Sequence, residues 1–154
     1  MAHIVWTDDL NTGISEIDNQ HRRILKYINE LYSASQAGDR GAVGGVVEDM
    51  VDYTLSHFAF EESLMEEAGY PLSKPHKRVH EVLTKRVADL HLRHKAGDDV
   101  ARDLHSLLSR WLVSHIKSDD AAYSRQVRMH LESAKDAGKA GGWLSNALGR
   151  FFKK

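Results

Sequence analysis

Hydrophobic positions recur every three to four residues in four stretches of the chain, each closed by a turn signal. From about Ser15 to Ala37, the residues Ile14, Ile17, Ile24, Ile28 and Leu31 form one stripe, and His21 fills the gap it leaves. Ser15 followed by Asp18 resembles a capping box that starts this helix, and Gln36-Ala37-Gly38-Asp39 ends it. From about Ala42 to Glu67, Val43, Val47, Met50, Thr54, His57, Glu61 and Met65 share a face, and Gly69-Tyr70-Pro71 then forces a turn. A third helix begins near Pro75, a residue suited to a first helical position, and carries His76, His80, Leu83, Val87 and Leu90. Gly97-Asp98-Asp99 stops it and caps a fourth, with Val100, Leu104, Leu108, Trp111 and His115, which continues towards Leu131. Short connections between four amphipathic helices predict an all-α protein, an antiparallel up-down four-helix bundle. No strand pattern or internal repeat competes with it.

Past the bundle, assigned to residues 1–133, the pattern changes. Residues 134–142 are small, polar and glycine-containing, and read as a flexible linker. In residues 143–154, Trp143, Leu144, Ala147, Leu148, Phe151 and Phe152 fall on one helical face, with Arg150 and two terminal lysines nearby. An amphipathic C-terminal tail of this kind can dock on a membrane surface or in a partner's groove. Packing back on its own bundle is the alternative.

Composition narrows the function classes. With 154 residues and 42% hydrophobic content, the chain is one ordinary globular domain. Its 21 basic and 22 acidic side chains leave a net charge of −1, so the basic surplus of a nucleic-acid binder is missing. The absence of cysteine excludes disulfides, thiol catalysis and cysteine-ligated clusters. The first nine residues show no secretory pattern, and no apolar run approaches the ~20 residues of a membrane span. A cytoplasmic location is the expectation, with the tail offering a way onto the inner membrane.

Ten histidines are the unusual number. Five of them (His21, His57, His76, His80, His115) fall on inward stripes, drawn from all four helices. A single inward histidine is ordinarily a core residue bonded to a neighbour. Five need a shared partner, because an apolar interior has too few acceptors for them, and a metal centre is the obvious one. His57 and Glu61 are four apart, as are His76 and His80, so each pair projects from one helix face. His115 is followed by Asp119 at four and Asp120 at five. By helical geometry alone Asp119 is favoured, since Asp120 lies about 140° round the helix from His115.

These residues carry a resemblance. His57-Phe58-x-x-Glu61-Glu62-x-Leu64-Met65, Gly69-Tyr70-Pro71 and His76-x-x-x-His80 are similar to the hemerythrin family, and to its single-domain bacterial members in particular. Ile17-Asp18-x-Gln20-His21 and Trp111-Leu112-x-x-His115-Ile116-x-x-x-Asp120 extend the likeness from about Val5 to Leu131. The family pattern sets the last carboxylate five residues after its histidine, so the resemblance selects Asp120 where spacing alone favours Asp119.

The resemblance implies a di-iron centre of two Fe ions with an oxo or hydroxo bridge. One iron would be held by His76, His80 and His115, the other by His21 and His57, with Glu61 and Asp120 across both. The second iron would keep one open position for dioxygen, in a pocket lined by Ile24, Phe58, Trp111 and Leu112. Plain core packing is the alternative account of those four. The implied function is reversible dioxygen binding for storage, delivery or sensing, without catalysis. The rivals are a di-iron enzyme reducing nitric oxide or peroxide, and an iron reservoir or repair protein. Ferritin-like enzymes use Glu-x-x-His pairs, which this sequence lacks, and seven ligands exceed one tetrahedral zinc site. His3, His91, His94, His105 and His130 lie outside the motif, and Glu62, Glu66 and Glu67 read as a solvated face.

Overall fold

In the computed structural model, which describes residues 3–136 and 140–152, six α-helices account for most of the chain. They are α1 (Ser15–Gln36), α2 (Arg40–Glu67), α3 (Ser73–Lys95), α4 (Ala101–His115), α5 (Ala121–Asp136) and α6 (Ala140–Phe151). A π-helical turn, Ile116–Asp120, joins α4 to α5, so the fourth rod of the bundle runs from Ala101 to Asp136 with one irregularity. The first three rods end alike. Each has Ala followed by a glycine at positive φ (Gly38, Gly69, Gly97), and the next amide bonds back to a carbonyl five residues earlier. These bonds, Asp39 N to Ala34 O, Tyr70 N to Met65 O and Asp98 N to Arg93 O, are Schellman closures, which stop a helix and reverse the chain.

Helix starts are less uniform. Asp39 caps α2 by accepting from the Ala42 amide at 3.0 Å. The expected box at Ser15 does not form; Asp18 instead turns back and accepts from the Thr12 amide and hydroxyl, both at 2.8 Å. The leading segment is tied down by Asn29, whose side-chain amide exchanges two hydrogen bonds with the Ile4 backbone. Pro75 sits in the first turn of α3, where its missing N–H has no helical partner to lose.

α1 packs on α2 and α4, and α2 on α3, while the α3 and α4 backbones stand farther apart and meet through side chains such as His80 and His115. Two apolar clusters divide the interior. One gathers Ile24, Ile28, Phe58, Leu83, Leu108 and Leu112; the other gathers Ile17, Phe60, Leu64, Met65, Tyr123 and Val127. His21 on α1, His57 and Glu61 on α2, and His115 and Asp120 on the fourth rod lie between them.

The tail docks in cis. Ala147 is buried against the second cluster, and Leu148, Phe151 and Phe152 pack on it, so the described part of that apolar face covers α2 and α5. The side chains of Trp143 and Leu144 lie outside the described residues. Helical backbone extends over 134–136 and 140–142 of the expected linker, whose residues 137–139 also lie outside the described residues. No described helix is long and apolar enough to cross a membrane.

Candidate metal centre

Three rods deliver their polar residues from the boundary between the two apolar clusters, and α3 delivers its own from the end of the first. His21 lies between Ile17 and Ile24 on α1, His57 and Glu61 between Met50 and Leu64 on α2, and His76 and His80 precede Leu83 on α3. His115 ends α4, and Asp120 ends the π turn that follows. All seven are buried, with Glu61, His21 and Asp120 having no exposed surface.

The π turn explains the five-residue spacing. In an α-helix, five residues overshoot one turn by about 140°. A π turn closes its hydrogen bonds five residues apart and returns residue i+5 to the face of residue i. Asp120 Oδ1 consequently lies 3.0 Å from His115 Nε2. The side chain of Asp119 lies outside the described residues.

Both carboxylates are divided between two groups of histidines. Glu61 Oε1 contacts His57 Nε2 and lies 3.2 Å from His21 Nε2, while Oε2 lies 3.4 Å from His76 Nε2 and 3.5 Å from His80 Nε2. Asp120 does the same: Oδ2 is 3.0 Å from His21, and Oδ1 is 3.1 Å from His76. His80 and His115 bring their Nε2 atoms to 3.2 Å of each other. Two ring nitrogens on one ion, with bonds of ~2.1 Å at right angles, stand about 3 Å apart.

The donor atoms fit metal ions better than they fit one another. His57 Nε2, Glu61 Oε2, His76 Nε2 and both Asp120 oxygens are buried without a properly aligned hydrogen bond, although nitrogens and oxygens lie within 3.5 Å. Atoms that are close yet misaligned are aimed at common points in space. Glu61, His76, His80, His115 and Asp120 form one such set, and His21, His57 and Glu61 form another, with Glu61 shared.

Charges in the metal-free cluster reflect the same crowding. Burial works against protonation of His21 and His76, but Asp120 and Glu61 outweigh it and raise both to about 9. His80 is raised likewise, against burial, by Glu61 and Glu62. Burial lowers His57 despite Glu61 beside it. Glu61 stays well below the usual carboxylate range: desolvation is overcome by His57, His21 and His76. Asp120 is lowered too, where burial and Glu61 are outweighed by His115 and His21.

A second layer holds the histidines. Gln20 Oε1 accepts from His57 Nδ1 at 2.7 Å, leaving Nε2 to face the cluster. Phe58 stacks on His80 with centroids 3.9 Å apart, and Trp111 stacks on His115 at 4.4 Å. Ile24, Phe58 and Leu112 belong to one buried cluster, with Trp111 packed against it. Glu62 is not simply solvated, since its Oε1 comes within 3.5 Å of His80 Nδ1. The Tyr123 hydroxyl is fully buried, and burial followed by the charges of Glu61 and Asp120 pushes its pKa well up.

Residues 12–127 match the family model described as the hemerythrin HHE cation binding domain. The chain belongs to the hemerythrin family. It is 55% identical over 152 residues to a bacteriohemerythrin of Stenotrophomonas maltophilia, and 53% identical to one of Pseudomonas aeruginosa, covering 99% of both chains in each comparison. Among solved structures it resembles a wild-type hemerythrin crystal structure with a TM-score of 0.78 and 31% identity, over 82% of this chain and 98% of that one. In a hemerythrin this His/Glu/Asp cluster is suited to a non-haem di-iron centre.

Proposed function

We propose that this chain binds dioxygen reversibly at its di-iron centre, for oxygen storage, delivery or sensing. In the assignment proposed, His76, His80 and His115 would hold one iron, His21 and His57 would hold the other, and Glu61 and Asp120 would serve both. The observation that carries the reading is the split of each carboxylate between a three-histidine group and a two-histidine group. The unequal count would leave one ion a protein ligand short. When bound, the irons supply that vacancy and the electrons needed to take up dioxygen.

The remaining work belongs to the protein. Glu61 and Asp120 offset the positive charge without a proton, because both remain ionised in the buried cluster. Gln20 holds the His57 ring with Nε2 forward. Ile24, Phe58, Trp111 and Leu112 wall the site with hydrocarbon, which keeps water and protons from an oxidisable centre. Binding rather than catalysis is supported by five histidines against two carboxylates, and by the hemerythrin names of the relatives.

The test is visible absorption of the iron-reconstituted protein, reduced under argon and then exposed to air. Oxygen-dependent bands that appear in air and vanish again under argon are expected. Steady turnover of nitric oxide or peroxide with a reductant would favour the enzymatic rival, and rapid loss of iron to chelators would favour a reservoir. For residues 143–154 we favour a cover in cis over a membrane or partner anchor, because Ala147, Leu148, Phe151 and Phe152 are already engaged. Co-sedimentation of the full chain with anionic vesicles, lost on removing 143–154, would reverse that preference.

A further inference from the structure

Outside the core side chains that join them, α3 and α4 leave a surface groove of about 710 Å³ between them, lined by Arg86, Asp89, Arg93, Asp103, Arg110 and Trp111. It runs into a second, largely apolar hollow of about 340 Å³ lined by Pro75, Arg78, Val79, Val82, Arg86 and Trp111. Val82 is 57% exposed there, an aliphatic side chain with nothing over it in the chain. Charge in the two hollows is basic overall, four arginines (Arg78, Arg86, Arg93, Arg110) against Asp89 and Asp103. α3, one wall of the groove, carries seven Lys and Arg against two acidic residues. Arg93 is paired with Asp98 and Asp103, but no ion pair engages Arg78, Arg86 or Arg110 among the described residues.

A solvated basic surface is the ordinary fate of such arginines. Two observations set this one apart. Arginines round an aromatic and aliphatic floor are the make-up of a protein interface. That floor also leads inward: the half-buried Trp111 indole lies nearly parallel to the His115 imidazole, 16° apart with centroids at 4.4 Å. It meets Phe58 edge-to-face with centroids 5.3 Å apart, and Phe58 is stacked on His80. One half-buried ring thus touches, directly or through one neighbour, two histidines of a cluster that has almost no surface of its own.

We propose that the α3–α4 groove docks an acidic one-electron carrier protein, and that Trp111 carries its electrons to His115 and the di-iron centre. The inference rests on the di-iron reading above. An oxygen binder whose irons drift to the ferric state stops working until it regains two electrons. Two reduced carriers supply them one at a time: each loses one electron, the diferric pair gains two and becomes diferrous, and no bond forms between the proteins. Tunnelling falls off exponentially with distance, which favours entry where a conjugated ring spans surface and ligand. The basic rim selects a carrier with an acidic face and speeds its arrival.

The test uses the iron-loaded full chain with plant-type [2Fe–2S] ferredoxin, an acidic carrier, and with cytochrome c, a basic one. Calorimetric titration is expected to show ferredoxin binding that weakens as salt rises, and at least about tenfold weaker binding by Arg86→Glu/Arg110→Glu. Reduction of the ferric protein by dithionite is unchanged in that variant. At saturating ferredoxin, Trp111→Leu slows the limiting reduction rate. The proposal is overturned if ferredoxin binds no better than cytochrome c, or if charge reversal leaves affinity and salt dependence unchanged. It is also overturned if sedimentation shows self-association that the reversal dissolves, since a second copy then owns the face. Calorimetry does not depend on oxygen chemistry, so salt-sensitive binding by a protein that reacts irreversibly with oxygen would cost the oxygen-binding reading alone.

Discussion

Replacing Gln20 by leucine separates the two halves of the centre. Gln20 Oε1 accepts the His57 Nδ1 proton at 2.7 Å in a buried setting, and this bond presents Nε2 to Glu61. Leucine has nearly the same volume but cannot accept, so the buried imidazole N–H is left unpaired at a cost of about 1–3 kcal/mol. At about 1.4 kcal/mol per tenfold, affinity at that position falls roughly 5- to 150-fold. The range brackets the ~10–100-fold typical of lost outer-shell partners. The ion assigned to His76, His80 and His115 has no contact with Gln20 and is expected to stay tight. Anaerobic ferrous titration against a chelator reads both sites: the wild type holds two irons strongly, and Gln20→Leu holds one strongly and one weakly. Circular dichroism of the iron-free variant checks that the helices persist, and Gln20→Glu, which keeps an acceptor, restores the second site. Two equally tight irons in Gln20→Leu would refute the reasoning, because His57 would then need no orienting partner.

Four further outcomes follow from the same geometry. Asp120→Asn removes a charge shared by both histidine groups and should lower iron content below two per chain, whereas Asp119→Asn should leave it intact; equal losses by metal analysis would remove the role given to the π turn. Leu112→Ala opens a buried wall, destabilises the fold by about 2–5 kcal/mol and should accelerate autoxidation; an unchanged rate would take Leu112 out of the water-excluding role. Raised pKa values of about 9 for His21 and His76 imply that the iron-free chain has this stabilisation in full below the free-histidine value of 6.5 and loses it as pH rises through about 9. His57, lowered by burial, works in the opposite sense, and urea melts should nonetheless give lower stability at pH 9.5 than at about pH 6; higher stability at the alkaline end would contradict this. Deleting residues 140–154 uncovers Phe60 and Tyr53, which Phe152 touches, and should lower the melting temperature; an unchanged melt would show that the docked tail contributes nothing.

The rods and their stops were legible because each used a strong local signal. Apolar spacing gave the inward faces, and the Ala-Gly pairs at 37–38, 68–69 and 96–97 mark Schellman closures that need a glycine at positive φ. Six of the seven cluster residues could be placed by α-helical spacing. Asp120 could not, since its position depends on a π turn that nothing in Ile116-Lys117-Ser118-Asp119-Asp120 announces; only the family resemblance selected it. Gln20 was open to detection, as a polar residue three after Ile17 and four before Ile24 on an inward stripe. Glu62 and Tyr123 were harder: their roles come from helices meeting across the bundle, a non-local relation that periodicity does not encode. The docking surface of α6 was hidden for the same reason, because an amphipathic face does not state what it covers.

Oxygen uptake measured against iron content tests the central claim most directly. The reduced protein carrying two irons per chain is equilibrated with a known quantity of dioxygen, and the gas is then drawn off and counted. The account predicts one dioxygen taken up for each pair of irons, nearly all recovered intact, with the same protein able to repeat the cycle. Uptake with little recovery, or a ratio that continues to climb while reductant is present, would contradict reversible binding and identify the centre as one that consumes oxygen.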